Sequence, residues 1–261
     1  MHALLPLSAV VSLCLALSLP SCTPARGRSF EVDSLTYERS WTLENIMEND
    51  PLGGRSHFYV KIDYPVSSSN GLTAVADSVR LWLSSRLLPA GSEPVANKSV
   101  LDVAANIFFG ENDGNEWGEE ASISLRMVFE SNDYLTYEAS RYTYSGGAHG
   151  NYYICGATFR KDDGRRLTWN DFPKSDELRK ALTADLRESL RLGDIADMVG
   201  KLLLDKADYT LADGSVAVPL PTVEPWLTDT GWVFTYQPYE ILPWSYGAPA
   251  CCIKELKLAG D

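Results

Sequence analysis

The chain has 261 residues, is 45% hydrophobic and 22% charged, and carries a formal net charge of -12. This composition belongs to a folded globular protein of one large or two small domains. The acidic balance argues against nucleic acid as a partner, since phosphate recognition demands a basic footprint; it serves solubility or attracts a cationic partner.

Residues Leu4–Leu19 are almost wholly apolar, and residues 1–21 contain no Lys, Arg, Asp or Glu. The run is shorter than the roughly 20 apolar residues of a membrane span and reads as an export signal over 1–21. Leu19-Pro20-Ser21-Cys22 follows. A small residue before a cysteine, directly after an apolar run, resembles the lipobox of bacterial lipoproteins. The resemblance implies acylation of Cys22 by palmitate-type chains, export, and a lipid anchor in the cell membrane or outer membrane. Pro20 and the missing basic n-region depart from that pattern; an ordinary secretory signal is the alternative. Residues 22–29, with Pro24, Gly27, Arg26 and Arg28, form a tether.

Leu35, Tyr37, Trp41 and Leu43 share one alternating phase and predict a strand. Phe58, Val60, Ile62 and Tyr64 predict a second. After Pro65 and the Ser67–Gly71 break, Leu72, Val75, Val79, Trp82, Leu83 and Leu87 fall at helical spacing up to Pro89. Ser99–Phe108 predicts a second helix, with Ser99 as N-cap and Gly110 as stop. The acidic segment Glu111–Glu120 lacks the ligand pattern of an EF-hand and reads as a solvated loop.

Ile123, Leu125, Met127 and Phe129 alternate with polar partners, and Ser131-Asn132-Asp133 makes a hairpin loop into Tyr134–Tyr144. A glycine-rich stretch leads into Tyr152–Phe159, so these strands form an antiparallel meander. Ser175 caps a helix ending at Gly193, and Ile195–Leu204 reads as helical. Val223–Leu227 and Trp232–Tyr236 predict a hairpin, and Cys251–Leu258 a last strand. Strands, then helices, then strands define an α+β fold: antiparallel sheets packed with a few helices, in two consecutive subdomains.

Three motifs then fall in order: Ser145-Gly146-Gly147-Ala148-His149-Gly150, Leu167-Thr168-Trp169-Asn170-Asp171-Phe172, and Gly231-Trp232-Val233-Phe234 running into Gln237-Pro238-Tyr239-Glu240-Ile241. Together they resemble the extracytoplasmic module of RsiV, the lysozyme-sensing anti-sigma factor, and of PdaC-type peptidoglycan deacetylases, in a Bacteroidetes-type lipoprotein form. The resemblance implies a PdaC-like α/β subdomain over 30–112 and an RsiV-like C-terminal domain of unknown function over 119–261. Neither a cytoplasmic sigma-binding segment nor a deacetylase domain accompanies them, so the envelope-facing module is expected to stand alone.

Ser145, Gly146, Gly147, His149 and Gly150 are a candidate functional or structural turn. His149 fits a general base, a polar anchor or a turn histidine; Ser145 lacks the Gly-x-Ser-x-Gly elbow of a hydrolase. His57 and His149 are too few and too far apart in sequence to suggest a metal site, and no cofactor motif is present. Trp232, Tyr239, Trp244 and Tyr246 are candidate ligand-facing aromatics. Cys155 and Cys251 are either a disulfide, which export permits, or buried thiols. The reading is a non-enzymatic envelope lipoprotein that binds a lysozyme-like protein or a cell-wall glycan. Its alternatives are an enzyme acting on peptidoglycan or another glycan, and a structural lipoprotein without a ligand; oligomeric state is open.

Overall fold

A computed structural model describes residues 29–42, 50, 52–66, 71–89, 91–92, 98–109 and 118–259. The export signal, Cys22 and most of the acidic segment lie outside the described residues. In chain order the elements are β1 (Val32–Thr42), β2 (Arg55–Pro65), α1 (Thr73–Leu87), α2 (Lys98–Phe109), β3 (Glu120–Glu130), β4 (Tyr134–Tyr144), β5 (Asn151–Arg160), α3 (Asp176–Ser189), α4 (Ile195–Val199), α5 (Lys206–Tyr209), β6 (Trp226–Thr228), β7 (Gly231–Thr235) and β8 (Ala250–Ile253).

Strands β1 to β5 form one sheet in that order, and β6 to β8 form a second, three-stranded antiparallel sheet. In the large sheet every pairing is antiparallel except β2–β3, which is parallel. A parallel pairing needs a long crossover, and α1 with α2 supplies it. The sequence pattern shows these helices but not the pairing they permit. It also divides the chain near residues 112–119, whereas β2 bonds to β3 across that point. The division in packing falls later. One apolar cluster joins Phe30 through Phe159 with Val223 and Trp226, and the other gathers Leu167 through Cys251.

Alternation assigns the two faces of the large sheet. Phe58, Val60, Ile62, Leu125, Tyr137 and Phe159 share the face under α1, where Trp82 meets Tyr137 and Phe159 edge-on at 6.4 Å each. On the opposite face the Thr136 and Thr158 hydroxyls bond at 3.0 Å, and Leu227 N–H donates to Thr158 Oγ1 at 2.9 Å. There Trp226 packs against Gly156, where an added Cβ would fall 2.2 Å from the indole. The small sheet thus covers the β5 end of this face. Over β1 to β3 the face presents polar residues such as Glu38, Lys61 and Arg126, all exposed.

Local signals account for most boundaries. Leu88 N–H closes α1 on Ser84 O, and Pro89 follows. Ser175 Oγ accepts Leu178 N–H at the start of α3, a cap that contributes about 1 kcal/mol. Helix α4 is shorter than the predicted span to Leu204. Its last turns tighten at Gly200, and Leu203 N–H then leaves to bond Ile241 O. The last strand stops at Ile253 instead of Leu258, and Ala259 N–H bonds Asp171 O.

Candidate functional site

The β4–β5 connection explains its own glycines. Gly146 and Gly147 have φ of +88° and +97°, a region L side chains rarely enter. The Tyr144 hydroxyl bonds Gly147 O at 3.1 Å and closes the loop. At Gly150 an added Cβ would lie 2.4 Å from the Tyr142 ring. Ser145 is exposed at the loop.

His149 is engaged at both nitrogens. Nδ1 lies 3.1 Å from Gly150 O, and a carbonyl only accepts, so Nδ1 carries the proton. In the neutral ring Nε2 then accepts from the Tyr239 hydroxyl at 3.2 Å. The ring stacks on Trp244 with centroids 4.2 Å apart at 20°, and Tyr152 meets Trp244 edge-on at 6.0 Å. His149 thus joins the β4–β5 loop to the Gln237–Trp244 segment.

That segment is itself pinned. The Gln237 amide accepts Ile154 N–H at 3.0 Å and donates to Ile154 O at 2.7 Å, pairing with the edge of β5 like a short strand. Glu240 accepts the backbone N–H groups of Gln237 and Thr222, each at 2.6 Å. Between them Tyr239 is held at φ +67° and is 53% exposed. A non-glycine residue in this region costs on the order of 1 kcal/mol, which the flanking bonds sustain. The Thr168–Asp171 motif plays a different part, as a reciprocal capping box. Its Trp169 and Phe172 pack into the second core.

Two adjoining depressions open beside this anchor. One, about 390 Å³, is lined by Tyr142, Tyr144, His149, Leu52 and Glu120. The other, about 430 Å³, is lined by Trp41, Arg55, His57, Leu52 and Glu120. Leu52 and Glu120 are shared walls. Register sets Glu120 there: it is the Cα partner of His57 on one side and of Tyr144 on the other. Glu120 is half-buried. Among the described residues its carboxylate has no hydrogen-bond or ion-pair partner, whereas the neighbouring His57 Nε2 is 3.0 Å from Glu38. Burial, then the charges of Glu120 and Tyr144, pushes the Tyr142 hydroxyl above its ordinary range. Asp50 fixes Leu52 by accepting the N–H groups of Leu52, Gly54 and Gly118. Burial opposes charge there, but those three bonds together hold the Asp50 carboxyl below its ordinary range.

Of the four aromatics singled out in sequence, Tyr239 and Trp244 reach His149. Trp232 is buried in the second core, and Tyr246 packs against it. Trp244 also carries a buried indole N–H without a partner among the described residues. Cys155 and Cys251 are free thiols in separate cores, so the structure contains no bridge between them. Cys155 faces Arg86, and Cys251 donates to Leu182 O. Sequence reasoning missed Glu120, Tyr142, Tyr144, Tyr152 and Trp41 as a group, because register rather than motif brings them together. Among the described residues no three His, Cys, Asp or Glu side chains converge as metal ligands, and no helix is long and apolar enough to cross a membrane.

The fold is a two-subdomain α+β architecture with a mixed five-stranded sheet backed by a small antiparallel one. Solved structures of DUF3298 family proteins share it. One from Bacteroides fragilis superposes with a TM-score of 0.63 over 90% of this chain and 96% of its own, at 19% identity. Another, from Pseudomonas aeruginosa, gives 0.55 over 85% and 90%, at 16% identity. At that coarse level the likeness agrees with the RsiV/PdaC-type module suggested by the motifs. No family model and no curated protein matches the chain.

Proposed function

We propose that the protein is an exported, lipid-anchored envelope module that binds an extracellular ligand without acting on it chemically. Glu120 carries this reading. A half-buried carboxylate with no partner among the described residues is costly unless something supplies positive charge. It stands between two depressions edged by Tyr142, Tyr144 and Trp41. With a net charge of -12 behind it, the arrangement suits a basic extracellular protein of the lysozyme class.

A second reading rests on Tyr239. Its half-exposed ring, backed by His149 and Trp244, is suited to stacking on a cell-wall glycan. An enzyme acting on glycans finds less support. Glycosidases use a facing carboxylate pair, and Glu120 is the one carboxylate in the described lining of the depressions. Purified protein is expected to retain lysozyme in low salt and to lose it as salt rises; retention of peptidoglycan fragments insensitive to salt would favour the glycan. Retention of neither removes the binding proposal. For the anchor, palmitate is expected to label the wild type and not Cys22→Ala; equal labelling of both contradicts it.

A further inference from the structure

The helix-covered face carries a feature of opposite charge. A cavity of about 220 Å³ opens between the last turn of α1 and strands β3 to β5, lined by Ser85, Arg86, Arg141 and Tyr153 over the apolar floor of Ile123 and Leu125. Among the described residues Arg86 has no carboxylate partner. Its Nε and Nη2 donate to Ser85 Oγ at 3.3 and 3.1 Å, and its Nη1 lies 3.7 Å from Cys155 Sγ. The guanidinium sits over Trp82 at 5.5 Å, and that of Arg141 over Tyr153 at 5.8 Å. Aromatic faces thus hold both forks beside the cavity instead of leaving them to sweep through solvent.

The charges around the cavity are unequal. A neighbouring depression, also lined by Ser85 and Arg86, adds Arg165 and Arg166. Arg165 is paired with Asp171 at 2.7 Å and Arg166 with Glu224 at 3.8 Å. Glu224 is the carboxylate that also acts on Tyr153 and Cys155. The guanidinium groups of Arg86, Arg165 and Arg166 therefore meet two carboxylates, on a chain whose overall charge is -12.

We propose that the cavity between Arg86 and Arg141 binds a ligand through a phosphate or carboxylate group. Two guanidinium forks, all donor and no acceptor, match the acceptor-only character of an oxyanion; the Ser85 hydroxyl is already committed, donating to Trp82 O at 2.7 Å. The apolar floor lowers the local dielectric and strengthens each charge-assisted bond. The cavity's lining shares no residue with that of the Glu120 depressions.

Calorimetric titration of the purified full-length protein with inorganic phosphate and with acetate, ionic strength balanced by chloride, tests it. Saturable binding of at least one anion is expected, weakened about tenfold or more in Arg86→Gln and in Arg141→Gln. Arg141 is exposed, so its variant keeps the test valid should Arg86→Gln unfold. Arg126→Gln changes the net charge equally on the opposite face and is expected to bind like the wild type. No saturable binding of either anion overturns the proposal. Equal binding in the wild type and both cavity variants overturns it too, as does an equal loss in Arg126→Gln.

Discussion

The two faces of the five-stranded sheet are made by the same strands and do opposite work. Beneath α1 and α2 the face carries the core, with Val60, Ile62, Leu125 and Phe159 fully buried, and opens at the Arg86–Arg141 cavity. The other face is closed only where β6 lays Trp226 on Gly156; toward β1 it stays polar and opens into the Glu120 depressions. One residue of displacement along β3 moves from core to candidate site. At the start of β3, core packing and the Glu120 site are therefore separable by the parity of the residue changed.

The largest effect is expected where the second face is sealed. Trp226→Ala should cost about 3–5 kcal/mol in urea unfolding, because it leaves a cavity between the sheets. A loss below about 1 kcal/mol would mean that the small sheet does not depend on this contact. On the helix side, Leu125→Ala should cost about 2–5 kcal/mol, while its neighbour Ser124→Ala on the open face should change stability by no more than about 0.5 kcal/mol. Equal costs would contradict the assignment of faces.

Buried phenols give the closed regions a pH signature. Burial, then hydrogen bonding to Asp102 and its charge, pushes the Tyr37 hydroxyl up to about 12 from the ordinary 10.0. Burial raises Tyr137 and Tyr236 as well. Their folded forms hold the proton more tightly, so this stability is full below the ordinary phenol value of 10.0, and the part due to Tyr37 is lost as pH rises through about 12. Unfolding free energy should fall between pH 10 and 12, and less steeply in Tyr37→Phe. Asp50 has the opposite sign. Its folded carboxyl is held low, so its contribution is present above the ordinary value of 3.8 and lost as pH falls. Asp50→Asn should cost about 1–2 kcal/mol at neutral pH, and less in acid.

The sequence made the long strands legible because period-two alternation runs through most of β2 and through β3 as far as Met127, and it made α1 legible through its apolar spacing and α3 through its cap as well; the bulge between Met127 and Phe129, which shifts Phe129 opposite Thr136, was not legible. It left α4 too long because the bond from Leu203 to Ile241 is a tertiary choice that local propensity does not show. The motifs around Gly146–Gly150 and Gln237–Glu240 were visible as motifs. Their role as two halves of one anchor, joined by His149 and Tyr239, depends on a contact spanning ninety residues. Glu120 was invisible for a related reason. It is the last residue of the acidic segment read as a solvated loop, and its register between His57 and Tyr144 makes it instead the first residue of β3.

The central claim is that Glu120 is a binding carboxylate rather than a surface charge. The most direct measurement is the affinity of lysozyme for the wild type and for Glu120→Gln at low salt, with Glu138→Gln as a control of equal charge change. The account predicts about a tenfold or greater loss for Glu120→Gln, roughly the removal of one partly desolvated charge pair, and little change for Glu138→Gln. Wild-type binding that both variants preserve, or that both lose equally, would contradict it.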